Sequence, residues 1–223
     1  MSTFVLLPGA GGEAWYWHRV VPLLEEAGHE AIAVDFPGDD PNAGLDVYAE
    51  RTVSAIGARK DVVLVAQSMG GFTAPLVCEK LTIRALVFSN AMIPTPGETA
   101  GAWWGNTKSE EARVAAAKAH GYRTDFDLAT YFLHDVPPDV AKGLEAHARN
   151  EAPIAFGQPC RFAWPQIPIH VVTGRDDRFF PAEFQARIAK ERLGKTVELV
   201  PGGHLAALSH PSELAAQLLG YAT

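Results

Sequence analysis

Two cysteines in 223 residues, Cys78 and Cys160, cannot build a disulfide framework. Both read as small core side chains in a protein of a reducing, cytoplasmic setting. Basic residues are also scarce: 19 Lys and Arg against 26 Asp and Glu leave a net charge of -7. Without a concentrated basic face, neither nucleic acid nor an anionic membrane is expected as a partner. Long apolar runs are missing too. Phe4-Val5-Leu6-Leu7 has no basic region ahead of it and is far too short to span a bilayer, so it reads as a first buried strand. There is no internal repeat, low-complexity tract or interdomain linker. The scattered histidines share no ligand spacing, so neither a metal nor an organic cofactor is expected.

What remains is a chain with 48% hydrophobic and 20% charged residues, the composition of one soluble, enzyme-sized domain. Short apolar runs recur at Phe4 to Leu7, Ala31 to Val34, Val62 to Ala66, Ala85 to Phe88, Ile169 to Val172 and Val197 to Val200. Each has the length of a strand covered on both faces. Helical patterns alternate with them at Trp17 to Ala27, Val47 to Ala58, Phe72 to Lys80, Ala182 to Arg192 and Pro211 to Leu219. Such alternation predicts a mostly parallel, six-stranded α/β sheet with right-handed crossovers. From Ile93 to Pro165 the rhythm stops, and helical candidates at Glu110 to Ala119, Phe126 to Leu133 and Pro138 to Arg149 predict a helical cap after the fourth strand. The expected division is therefore a core of residues 1–92 and 166–223 with a cap of 93–165.

Parallel sheets place working residues at the carboxyl ends of their strands. The third strand stops at Ala66-Gln67-Ser68-Met69-Gly70-Gly71, a tight strand-to-helix turn that projects a serine hydroxyl out of the sheet. The alternative is a buried turn serine, and Ala66 adds one methyl to the usual Gly-x-Ser-x-Gly. The first strand runs into Pro8-Gly9-Ala10-Gly11-Gly12, whose spacing matches neither a dinucleotide loop nor a P-loop. Its backbone can instead supply oxyanion donors, with the Ala10 and Met69 N-H groups as candidates. Asp176 and Asp177 follow the fifth strand, and either could orient a histidine or simply cap a turn. His204, on the Gly202-Gly203 loop after the last strand, is positioned as general base; His210 next to Pro211 reads as the approach to the final helix. Gly9, Asn90, Trp104, Tyr131, His134 and Trp164 are candidate pocket residues. Trp103 and Phe132 extend the same aromatic set, any member of which could simply pack the cap onto the sheet.

Several segments together resemble the α/β-hydrolase superfamily, in particular the plant methyl esterase and hydroxynitrile lyase group and its bacterial relatives. They are Pro8-Gly9-Ala10, Trp15-Tyr16-Trp17-His18, Leu23 to His29, the Ser68 turn, Tyr131 to Pro137, Pro181 to Gln185 and Gly202-Gly203-His204. The resemblance spans nearly the whole length. It implies a hydrolase fold without two leading antiparallel strands, a helical cap and the triad Ser68, Asp177, His204. The pattern Gly-x-x-Asp-x-x-x-Pro, here Gly174 to Pro181, selects Asp177 over Asp176. Pro8 stands where many relatives carry the histidine of a His-Gly pair. Leu205 and Gly9 replace the lysine and threonine of the cyanogenic lyases, which disfavours cyanohydrin cleavage. A serine at the turn, where dehalogenases and epoxide hydrolases use aspartate, disfavours alkyl-enzyme chemistry.

The expected function is a serine hydrolase acting on a small carboxylic ester through an acyl-enzyme. A slow-turnover small-molecule receptor and a lactone or carbon-carbon bond hydrolase are the alternatives. A small ester-like molecule is the expected partner; the oligomeric state is open, a homodimer included.

Overall fold

Strands β1 (Thr3–Leu7), β2 (Glu30–Ala33), β3 (Val62–Gln67), β4 (Ala85–Ser89), β5 (Ile169–Gly174) and β6 (Glu198–Val200) form one parallel sheet in the order β2-β1-β3-β4-β5-β6 in the computed structural model, which describes residues 1–222. Thr223, the last residue of the expected core segment, lies outside them. Helices α1 (Val21–Glu26), α2 (Leu45–Ile56) and α3 (Gly70–Cys78) connect the first four strands, and α9 (Ala182–Leu193), α10 (Ala206–Ser209) and α11 (Pro211–Leu219) complete the chain after β5. Between β4 and β5 lie α4 (Ala100–Thr107), α5 (Ser109–His120), α6 (Leu128–Tyr131), α7 (Pro138–His147) and α8 (Pro153–Gly157).

Strand residues alternate between two apolar layers. Val5, Leu64, Leu86 and Phe88 face α2, α3 and α9, whereas Phe4, Leu6, Val65 and Val87 face Trp17, Leu24 and the helices α10 and α11. Every residue of β1, β3 and β4 is buried, which is why these strands read as unbroken apolar runs. Full burial of each such Val, Leu or Phe contributes about 1.5–3 kcal/mol. β2, at the sheet edge, is only half-buried.

Some helix boundaries differ from expectation for identifiable reasons. The Trp17 to Ala27 pattern divides into a 3-10 turn, Ala14–Trp17, and α1, whose first turn carries Pro22. The Phe126 to Leu133 pattern contracts to α6, because the Asp127 side chain accepts the Thr130 N-H and fixes the start there. No expected helical pattern corresponds to α4 or α8. Among the described residues no helix is long and apolar enough to cross a membrane.

Candidate active site

Ser68 leaves the end of β3 with φ 47°, a left-handed conformation uncommon for a non-glycine residue. The turn is held because the Ser68 carbonyl accepts the Met92 N-H at 2.9 Å and the Gly71 N-H at 3.1 Å. Gly70 and Gly71 are required by space. A Cβ on Gly70 would stand 2.5 Å from the Pro8 carbonyl oxygen, and one on Gly71 would overlap the Met92 carbonyl oxygen. The extra methyl of Ala66 is fully buried in the apolar layer beneath α3.

His204 Nε2 lies 3.1 Å from Ser68 Oγ, and Nδ1 lies 2.9 Å from Asp177 Oδ2. The other Asp177 oxygen, Oδ1, accepts the backbone N-H groups of Phe179 and Phe180, each at 2.8 Å. That fixed carboxylate leaves one oxygen for the imidazole. Both side chains are shut off from solvent, with side-chain exposures of 1% for His204 and 0% for Asp177. Three phenylalanine rings enclose the imidazole: Phe132 stacks at 4.9 Å, while Phe179 and Phe180 meet it edge-on at 5.0 Å. Asp176 is engaged elsewhere, exchanging backbone and side-chain bonds with Gly202. His210 occupies the N-cap position of α11 without a side-chain capping bond, its Nδ1 3.0 Å from Ser209 Oγ.

The glycine-rich loop forms a turn closed by the Gly12 N-H on the Gly9 carbonyl at 3.1 Å. Gly9 is pressed against the serine turn: a Cβ there would stand 2.9 Å from Ser68 Cβ. Pro8, in place of a histidine, does not disturb this approach.

Ser68, His204, Gly9, Ala10, Met69, Trp104 and Phe132 line one cavity of about 630 Å³. Leu128, Leu133, Leu144 and Phe156, all from the segment between β4 and β5, line it as well, and Glu13, Glu145 and Arg149 bring charge to its wall. A groove of about 620 Å³ along β2 and α2 has a comparable volume but contains no histidine or cysteine, so volume alone does not single out the site. Among the described residues no three His, Cys, Asp or Glu side chains are grouped as a metal ion would need.

Four expected pocket residues are not in the cavity wall. Asn90 (φ 46°, 1% exposed) instead accepts the Gly174 N-H and donates to the Gly203 carbonyl, both at 2.7 Å, tying the ends of β4, β5 and β6 together. Tyr131 is buried inside the β4-β5 segment, donating its hydroxyl to the Arg123 carbonyl at 2.5 Å beneath the Arg113 guanidinium. His134 lies behind Gly203, and burial lowers its imidazole pKa. Trp164 packs edge-on against Phe162 and Phe88. Residue type near a loop does not fix side-chain direction, and direction takes each of these four elsewhere.

Other contributors carried no motif. Gln67 donates to the His204 carbonyl at 3.4 Å, and Asp135 Oδ2 accepts the Gly203 N-H at 2.7 Å, so the histidine loop is held from both sides. Phe179 and Phe180 follow Asp177 after Arg178, and a pair of aromatics just past a loop aspartate is the available signal. Glu151, whose carboxylate accepts the Gly11 N-H at 2.7 Å, offered none.

The sequence model described as Alpha/beta hydrolase family matches residues 4–217. An alpha-hydroxynitrile lyase of Arabidopsis thaliana is 35% identical over 103 residues; that match covers 41% of this chain and only 40% of the lyase. A pyrethroid hydrolase of Sphingobium wenxiniae is 24% identical over all of this chain and 88% of its own length. The crystal structure of polyneuridine aldehyde esterase superposes with a TM-score of 0.79 at 22% identity, covering 100% of both chains.

Proposed function

The chain belongs to the alpha/beta hydrolase family, and we propose that it is a serine hydrolase cleaving a small carboxylic ester through an acyl-enzyme on Ser68. The observation that carries this reading is the unbroken row of hydrogen bonds, Ser68 Oγ to His204 Nε2 at 3.1 Å and His204 Nδ1 to Asp177 Oδ2 at 2.9 Å, opening on a largely apolar cavity.

Ser68 Oγ attacks the ester carbonyl as its proton passes to His204 Nε2. Asp177 holds the Nδ1-H tautomer and stabilises the imidazolium that forms. The Ala10 and Met69 N-H groups take the charge that develops on the carbonyl oxygen. Collapse breaks the bond to the alcohol oxygen, which leaves with the proton from His204. Water then attacks the acyl-enzyme, giving its proton to the same nitrogen, and the acid departs as Ser68 is reprotonated. No step calls on a metal or organic cofactor.

In this reading residues 93–165 are a cap on the core of 1–92 and 166–223, and Gly9, Trp104 and Phe132 contact the substrate. The full-length likeness to a protein named as a pyrethroid hydrolase supports hydrolysis over cyanohydrin cleavage. So does the site itself, since Gly9 and Leu205 bring neither a hydroxyl nor an ammonium to the cavity beside Ser68. A fluorophosphonate probe should label the wild type and leave Ser68→Ala unlabelled. A panel of aryl and methyl esters should show turnover in the wild type alone, and inactivity on every ester would overturn the assignment.

A further inference from the structure

A carboxylate from the segment between β4 and β5 crosses the fold to reach the glycine-rich loop. Glu151 Oε2 accepts the Gly11 N-H at 2.7 Å, and Oε1 accepts the Tyr48 hydroxyl at 2.5 Å. Tyr48 is itself fixed, 2% exposed and stacked on Phe36 with ring centroids 4.6 Å apart. The loop has no slack against this segment, because a Cβ on Gly11 (φ +89°) would stand 2.5 Å from the Arg149 carbonyl oxygen.

Two consecutive peptide planes define the turn. The first joins Gly9 to Ala10; its carbonyl accepts the Gly12 N-H at 3.1 Å, so its N-H, that of Ala10, points the opposite way. The second joins Ala10 to Gly11, and its N-H is the one Glu151 accepts. Turns of this kind can flip the central plane, exchanging N-H for carbonyl on the same face. A carboxylate attracts the N-H and repels the carbonyl oxygen, so it excludes the flipped form.

Taking the serine-hydrolase reading as its basis, we infer that Glu151 is a positioning residue: by pinning the second peptide plane to Tyr48 it holds the whole Gly9-Gly12 turn, and with it the first plane that carries the Ala10 N-H, in place beside Ser68. Docking of the β4-β5 segment and assembly of the oxyanion site are then one event. Nothing in the geometry gives Glu151 a contact with the reacting atoms, so its effect belongs in the chemical step rather than in ground-state binding.

Loss of one oxyanion donor lowers kcat by about 10²–10³. Glu151→Ala should therefore lower kcat on p-nitrophenyl butyrate by about 10-fold or more, with KM within about twofold of wild type. Glu151→Gln keeps an acceptor without the charge and should fall between the two. A kcat in Glu151→Ala within twofold of wild type, a loss carried by KM, or equal losses in both variants would overturn the inference. Hydrogen exchange gives a second readout that needs no turnover. Amides in residues 9–13 should exchange at least tenfold faster in Glu151→Ala while those of β3 stay unchanged; unchanged exchange at 9–13 overturns the clasp. If Glu151→Ala does not fold, Glu151→Gln and Tyr48→Phe carry the same two measurements. Wild type that hydrolyses no ester would defeat the proposed function alone, leaving the exchange result to decide on the clasp.

Discussion

The sheet and the segment between β4 and β5 build opposite walls of one cavity by different means. On the sheet side, position follows from backbone: Ser68 is set by bonds from Met92 and Gly71, Asp177 by two amides, and the histidine loop by Asn90 bridging Gly174 and Gly203. Glycines let these loops touch, and added methyls at Gly71 or Gly174 would overlap carbonyl oxygens. Across the cavity the wall is made of side chains on short helices. α7 has no fully buried residue, and Leu128, which opens α6, is 58% exposed. Few buried apolar contacts mean low local stability, so this wall is expected to open more readily than the sheet beneath it. In the proposed serine-hydrolase reading, reaction geometry is thereby separated from pocket shape, and substrate range could change in one wall without disturbing the other.

The largest effect should come from the sheet side. Asp177→Asn removes the charge that supports imidazolium while keeping the loop bonds at Oδ1, and kcat should fall by about 10⁴-fold with little change in KM. Steady-state kinetics on an aryl ester would test it. A loss smaller than tenfold would mean that His204 does not depend on Asp177 for its orientation.

Next is the ion pair that ties the β4-β5 segment to α9. Glu98, at the entrance to the β4-β5 segment, has a side chain only 2% exposed and is bound by Arg192 of α9 at 2.5 and 3.0 Å. Arg192 holds the Glu98 carboxyl below its usual pKa against the opposing effect of burial. Arg192→Met would strand that charge, and breaking such a pair costs about 3–5 kcal/mol. Urea denaturation should read the full loss while kcat of the folded fraction stays near wild type. A parallel fall in kcat would show that the walls are not separable.

A smaller effect should come from the side-chain wall itself. Leu144 faces the cavity from α7. Leu144→Ala should shift the ratio of kcat/KM for long over short acyl esters by about tenfold, as one or two methylenes in a pocket are worth about 1–3 kcal/mol. The rate on the acetate ester should stay unchanged, and an equal loss on all chain lengths would deny this wall its part in selectivity.

The same division governs what could be read without coordinates. Strand ends were legible because apolar runs must stop where the sheet stops, so Ser68, Asp177 and His204 announced themselves by place as well as by type. The β4-β5 segment lacks such punctuation. α4 reads Ala-Gly-Ala-Trp-Trp-Gly-Asn-Thr, and its glycines at 101 and 105 disfavour a helix that the Thr99 cap and the buried Trp103 nevertheless hold. Tyr131 and Trp164 have the chemistry of pocket residues, yet their partners, Arg123, Arg113, Phe162 and Phe88, turn them into packing. Glu151 and Asp135 act through backbone amides distant in sequence, and no local pattern encodes that pairing.

The smallest expected effect lies where the two walls meet. His134 belongs to the β4-β5 segment but sits so close to the histidine loop that a Cβ on Gly203 would stand 2.7 Å from its Nε2. Burial lowers its pKa below the ordinary 6.5, with Arg178 acting in the same direction and Asp135 and Asp177 opposing. The unfolded chain therefore takes up a proton near pH 6.5 that the folded protein accepts only at lower pH. The stability from a neutral His134 is complete above pH 6.5 and is lost as pH falls through the lowered folded value. His134→Gln should flatten the dependence of Tm on pH in that acid window, by about a degree or two for a chain of this size. Hydrogen exchange assigns the change to a region. In the wild type, acid should speed exchange in residues 128–149 more than in β3, and the variant should lose that excess. If exchange rises equally in both regions, the protonation acts on global unfolding, and the two walls open as a single cooperative unit.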